Sequence, residues 1–283
     1  MCNNITNANC TVEISLGLAY SSLFVVGFIV NSAALWAFIA QRASWTDTHI
    51  YMFNLVIADS AFILFLPLRA YDAFFCLPKT TFCTFLLYIH FINMYASIMT
   101  TTAISVHRYL VIRFPLQARS WRKKKEAAFA VCLVIWILLV TVCVMFRKEN
   151  YPDKLWTCYE RCKDRPLKPL VMGIMVSLGF TTPLVVIVFC SSQIICILSK
   201  VDNISEEKKS IVDMVTANMV VFIVCYTPIN VGFLVNYFNV LPLNWQFEQI
   251  PEHIYLRIAE WIAATNCCFD SISYYFLLKQ FYS

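Results

Sequence analysis

The sequence predicts an all-α membrane protein, a seven-transmembrane helix bundle that ends in a short amphipathic eighth helix. Three observations point there. Of 283 residues, 60% are hydrophobic and only 14% charged, against roughly 25% charged in soluble domains, so lipid is the bulk solvent for much of the surface. The apolar residues gather into seven runs, each long enough to cross a hydrocarbon core of about 30 Å. Regular ten-residue alternation is missing and there are only 5 glycines, which argues against a membrane barrel.

The runs fall near 14–40, 50–76, 83–112, 127–146, 169–199, 211–239 and 254–278. The first follows MCNNITNANCTVE, which has no basic region ahead of a short apolar stretch, so it reads as an inserted span and not as a cleaved leader. The second carries Asp59, Pro67 and Arg69; the third begins at Cys83 and ends on His107, Arg108, Tyr109 and Arg113. The fourth contains Trp136, the fifth Pro183, the sixth Pro228, and the seventh Glu260, Asn266 and Asp270. After it, FLLKQFYS gives a cytoplasmic amphipathic helix over 277–283. Loops are short and none is Gly/Ser-rich, so residues 1–283 read as one domain, with 1–13 as an extracellular N-terminus.

Orientation rests on charge and on glycan acceptors. The loop after the third run holds Arg113, Arg119, Arg122, Lys123, Lys124 and Lys125 against Glu126, a positive-inside signal. Sequons at Asn4 and Asn9 then fall outside, where glycosylation occurs, while a third at Asn203 falls inside and stays unmodified. The loop after the fourth run is also basic, from Arg147 to Lys168, although it must face outward. It is either a solvated surface or an electrostatic funnel for an anion. The net charge of +5 is concentrated in these two loops and is no nucleic-acid footprint.

Cysteines divide by depth. Cys132, Cys143, Cys190, Cys196, Cys225, Cys267 and Cys268 lie within runs and behave as small apolar residues. Cys2, Cys10, Cys76, Cys83, Cys158 and Cys162 sit at the oxidising side, where disulfides persist, and none has zinc-site spacing.

Ionisable groups inside spans are expensive and point to function. Asp59 near the middle of the second run, Asp270 and Asn266 on the seventh, and Ser97 on the third make an oxygen-rich cation or water site, a candidate for sodium or for a shared proton. The plainer reading is a hydrogen-bonded packing cluster. No nucleophile–base constellation and no internal repeat is present, so an enzyme or a transporter is disfavoured.

GFIVN with Asn31, NLVIAD with Asp59, Cys83 followed by His107-Arg108-Tyr109, Trp136, Pro183, CYTP ending in Pro228, and DSISY from Asp270 to Tyr274 together resemble the rhodopsin-like G-protein-coupled receptors. One motif covers each helix, in order. WTDTHIYMFNL (45–55), PLVVIVFCSSQII (183–195), VVFIVCYTPINVGF (220–233) and NCCFDSISYYF (266–276) resemble the delta branch of that family, whose receptors are proposed to sense kynurenic acid, lysophosphatidic acid and lysophosphatidylinositol. The kynurenate type is the nearest match among them.

The resemblance implies a plasma-membrane receptor with an extracellular anionic small-molecule or lysophospholipid ligand. It also implies a heterotrimeric G-protein partner of the inhibitory or Rho-linked class, with membrane lipids as surroundings and arrestin as a candidate partner. Arg108 would meet the G protein's C-terminal helix, helped by Tyr109, by Tyr274 and by Leu116 as an apolar knob. His107 departs from the usual acidic residue, and Lys208 stands at the position of the family's acidic lock on the sixth helix. A neutral imidazole does not replace that charge pairing, so a weakly latched resting state with basal signalling is expected. Tyr226 stands for the usual tryptophan and Ser271 for the usual proline. A scavenging or scaffold receptor with little G-protein signalling is the competing class.

For the ligand, Arg69 is the first choice as a carboxylate or phosphate fork, against the plainer reading of a salt bridge to Asp72 or Glu260. Arg147 and Lys168 could join it, and Arg257 less so because Glu260 is one turn away. His90 stands where amine receptors carry aspartate, and Ala264 where photoreceptors carry lysine. Met94 replaces the pocket arginine of the kynurenate type, favouring a lipid with one charged head and an apolar tail. Phe91, Tyr95, Phe180, Asn230, Phe233 and Tyr237 could line the tail, though aromatics at helical spacing more often form core. The resemblance pairs Cys83 with Cys158.

Overall fold

The computed structural model describes residues 13–75, 77–116, 125–145, 155, 158–159, 167–200, 206–238 and 251–270. They form helices α1 (Ile14–Ala40), α2 (Asp47–Phe75), α3 (Thr81–Arg113), α4 (Lys125–Met145), α5 (Pro169–Ser199), α6 (Glu206–Phe238) and α7 (Pro251–Ala264). Past a turn at Thr265, helix resumes over 266–270. The first six of these helices are long and apolar enough to cross a membrane. The expected helix over 277–283, Tyr274 and the sequons at Asn4 and Asn9 lie outside the described residues.

Their order of packing makes a bundle: α1 lies on α2, α2 on α3, α3 on α4 and α5, α5 on α6, and α6 on α7. Apolar side chains cover its outside as well as its core. Phe28, Ile29 and Trp36 on α1, and Leu133, Ile137, Leu138 and Val144 on α4, are all exposed. That inversion suits a hydrocarbon solvent, in which only helices with internally satisfied backbones are stable.

Polar side chains do the work between helices that water-driven burial cannot do in lipid. Asn54 of α2 donates to Thr100 Oγ1 of α3 at 2.9 Å and accepts from Trp136 Nε1 of α4 at 2.8 Å. Asn31 of α1 donates to the Cys267 carbonyl at 2.8 Å. These contacts join α1 to the helix over 266–270, and α2 to α3 and α4.

Three helices contain internal prolines. Pro67 and Pro228 sit inside α2 and α6, where each removes a backbone donor. In α5, residues Ile174–Thr181 form a π-helical stretch directly before Pro183. There the Thr182 N–H reaches back to the Ser177 carbonyl. Such wide turns are frequent at functional positions.

Helix ends differ from the sequence expectation mainly in α6, which begins at Glu206 and not near 211. The extra turn, EEKKS, is polar and so invisible to a hydropathy criterion. Its acidic residues favour a helix N-terminus through the macrodipole.

Candidate functional site

The end of the bundle that holds Glu13 and Cys83 is organised around Arg69. Its position two residues past Pro67 on α2 brings Nη2 to Glu260 Oε2 of α7, to which it donates at 2.5 Å. The guanidinium carbon lies 5.0 Å from the Tyr20 ring centroid of α1 and 4.3 Å from that of Tyr159. Both are cation–π distances. Arg69 is 8% exposed. Of the two readings the sequence left open, the salt bridge to Glu260 is present; Asp72 accepts the Leu77 N–H at 2.8 Å instead. Burial pushes the Tyr159 hydroxyl well above its ordinary value, partly offset by the Arg69 charge.

Arg257 has two acids beside it: Glu260, which sequence spacing set against it and whose charge reaches it, and Glu13 just ahead of α1, with which it forms an ion pair. Two salt bridges therefore fasten α7 to α1 and α2.

Tyr159 owes its place to Cys158, which is bonded to Cys83 at the start of α3. Leu155 and Cys158 are buried with Leu86 and Leu87, and Tyr159 packs on this cluster. Here the disulfide pairing implied by the resemblance is found. Lys79 Nζ donates to the Leu155 carbonyl at 3.5 Å.

Below Arg69, His90 of α3 is buried between the rings of Phe62 and Phe91, at 5.7 and 5.8 Å. Neither ring nitrogen has a hydrogen-bond partner among the described residues. Met94 and Phe180 are buried with Phe222, Tyr226 and Ile229, while Phe91, Tyr95 and Phe233 pack on that cluster. Asn230 is buried too and spends its amide on the Tyr226 carbonyl at 2.8 Å. Tyr237 lies half-buried near the end of α6 beside Phe238. Lys168 flanks the start of α5, and Arg147 lies outside the described residues. Of the aromatic tail candidates, Phe91, Tyr95, Phe180 and Phe233 share one cluster, and Tyr237 stands apart from it near the end of α6.

At mid-depth, Asp59 is fully buried and its Oδ1 accepts from Asn93 Nδ2 at 2.9 Å. Its Oδ2 has no partner among the described residues. Asn266 donates to Asp270 Oδ2 at 2.7 Å, and Ser97 faces Asp270 and Tyr226. Two carboxylates, two carboxamides and a hydroxyl make a donor set that suits a small hard cation.

At the opposite end of the bundle, His107 Nε2 is 3.4 Å from Asp47 Oδ2 at the start of α2, and the His107 ring lies 5.9 Å from that of Tyr51. Tyr109 packs edge-on against Phe189 of α5 at 5.8 Å. Arg108 is half-buried, one residue past His107. Leu116, 85% exposed, projects beyond α3.

Sequence reasoning missed Tyr20, Tyr159, Glu13, Asn93 and Asp47. Asn93 was the most accessible of them, since it sits one turn before Ser97 and so shares its face. The others depend on how helices rotate against one another, which no single run encodes.

Comparison with known proteins adds a relationship that covers nearly the whole chain. A family model described as 7 transmembrane receptor (rhodopsin family) matches residues 30–274. G-protein coupled receptor 35 of Mus musculus is 34% identical, over 93% of this chain and 85% of its own length. Lysophosphatidic acid receptor 4 of Homo sapiens is 31% identical, over 99% and 80%. Lysophosphatidic acid receptor 6 of Gallus gallus is 30% identical, over 96% and 94%.

Proposed function

The chain belongs to the rhodopsin family of seven-transmembrane receptors, and on that premise we propose that it senses an extracellular anionic small molecule or lysophospholipid. It is a multi-pass membrane protein and a G-protein-coupled receptor, not an enzyme. The observation that carries the ligand reading is the buried Arg69 guanidinium, held between two tyrosine faces, with His90 within reach of its charge and Phe91 of the aromatic cluster beside that histidine. A planar fork of donors suits a phosphate or carboxylate head, and the apolar residues beneath suit a tail. That two relatives are named as lysophosphatidic acid receptors supports the lipid over an aromatic acid.

The ligand acts from the plasma-membrane exterior, where the N-terminus lies. By binding one conformer better than the other it shifts the bundle toward the state that engages the transducer. Arg108, Tyr109 and Leu116 meet a heterotrimeric G protein of the inhibitory or Rho-linked class, and arrestin uses the same face. Position 107 carries no fixed negative charge and Lys208 replaces the usual acid on α6, so basal signalling is appreciable. A sodium ion or a shared proton at Asp59 and Asp270 biases the resting state.

The test is a G-protein dissociation assay in cells with a panel of lysophospholipids and aromatic acids, on wild type and Arg69→Ala. A lipid agonist whose potency falls at least about tenfold in the variant is expected, the loss of roughly 1.4 kcal/mol of head-group binding. A panel without agonists, or a variant as sensitive as wild type, would defeat the reading.

A further inference from the structure

The outer charged group is balanced, and that balance constrains the ligand. Arg69 is already held by Glu260 at 2.5 Å, and Arg257 by Glu13. Asp72 lies one turn beyond Arg69 on the same face of α2. Two guanidiniums are thus paired with two carboxylates, Asp72 adds a third negative charge within reach of Arg69, and these five groups present no net attraction to an anion. Glu260 holds Arg69 through Nη2, and an acid that takes this nitrogen pushes the Glu260 carboxylate aside. That would leave a poorly solvated negative charge beside the incoming one, the arrangement most penalised at buried sites.

The geometry points to a ligand head group that carries both charges, an acidic phosphate or carboxylate with an ammonium a few ångströms away. The acid takes the place of Glu260 on Arg69, and the ammonium takes the place of Arg69 on Glu260. One ion pair is exchanged for two, and no charge is left alone. His90 supplies the remaining polar contact: it is 6% exposed, near enough to feel the Arg69 charge, and neither ring nitrogen has a partner among the described residues. One nitrogen donates and the other accepts, which suits a head group with both kinds of atom. This rests on the receptor reading above and refines its ligand class.

Two lipids separate the possibilities, lysophosphatidic acid and lysophosphatidylethanolamine with the same acyl chain, which differ by the aminoethyl group. Both are measured on the full receptor in nanodiscs by binding and in cells by G-protein dissociation. In wild type the amine-bearing lipid is expected to be about tenfold the more potent. Glu260→Gln should reverse the order, weakening that lipid and strengthening the plain phosphate. Arg69→Gln/Glu260→Gln, which leaves neither charge alone, should fold and respond to both lipids equally and weakly. If the plain phosphate is the better ligand in wild type and Glu260→Gln changes nothing, the zwitterion is overturned while the anionic-ligand reading stands. If neither lipid binds the wild type, both fall.

Discussion

Arg69 on α2 and Glu260 on α7 are joined at 2.5 Å although 191 residues separate them in sequence. With side chains only 9% and 18% exposed, each charge depends on the other. Breaking such a pair by removing one partner typically costs about 3–5 kcal/mol, whereas neutralising both costs much less. Arg69→Gln and Glu260→Gln should therefore each lower the melting temperature of the detergent-solubilised receptor, and the double variant should melt above either single one. Additive losses would show that the two residues act separately.

At the opposite end of the bundle the same reasoning applies to a pair that sequence reading did not anticipate. His107 lies 3.4 Å from Asp47, so an acid placed at position 107 would meet a carboxylate on one side and the Arg108 guanidinium on the other. His107→Asp in an Asp47→Asn background removes that conflict and leaves a fixed negative charge next to Arg108. A charge-assisted contact worth about 1.5 kcal/mol shifts a two-state equilibrium by roughly tenfold. Agonist-free G-protein dissociation should fall by that order, and basal activity equal to wild type would remove the weak-latch argument.

How much of this was legible beforehand follows from what one run of sequence can encode. Span positions were readable because a helix that crosses lipid must be apolar for about 20 residues, and α1 and α5 keep the expected limits. The first turn of α6 was not, because its sequence, EEKKS, is polar and a hydropathy criterion passes over it. Within the site, Asp59, Asn266 and Asp270 could be singled out because charge and amide groups are rare in spans, and Ser97 as a hydroxyl on the neighbouring third run. Asn93 could have been found by stepping one turn back from Ser97. The partner of Arg69 was narrowed to Asp72 or Glu260 but not chosen, because the choice depends on the rotation of α7 against α2. Glu13 was invisible as a partner for Arg257, since the ends of the chain's first and last spans meet only after folding.

The Asp59 site makes a separable prediction. Asp59→Asn keeps an oxygen able to accept from Asn93, so the 2.9 Å hydrogen bond survives while the charge that would hold a cation is lost. Agonist affinity measured in sodium and in a bulky organic cation should differ in wild type and coincide in Asp59→Asn. Asn93→Ala should weaken the sodium effect only partly, because both carboxylates remain. A wild-type receptor indifferent to sodium would leave the cluster as a hydrogen-bonded packing element.

Gly179 tests the aromatic core from the side of α5. It lies in the π-helical stretch, and a Cβ built there would fall 2.5 Å from Tyr95 Cε1, closer than real contacts allow. The α3 ring is therefore seated directly on bare backbone, and the glycine acts by yielding space and not by adopting an unusual conformation. Gly179→Ala should force Tyr95 off its rotamer at a cost of about 1–3 kcal/mol, the usual penalty for one carbon too many in a packed core. Because Tyr95 packs on the cluster with Met94 and Phe180, the displaced ring should also narrow the room for a ligand tail. Agonist potency should drop more for long acyl chains than for short ones. Gly179→Ala/Tyr95→Leu restores the space, since leucine lacks the clashing ring edge, and should recover most of the lost melting temperature. If the double variant is no more stable than Gly179→Ala alone, the contact between ring and backbone is not what fixes α5 against α3.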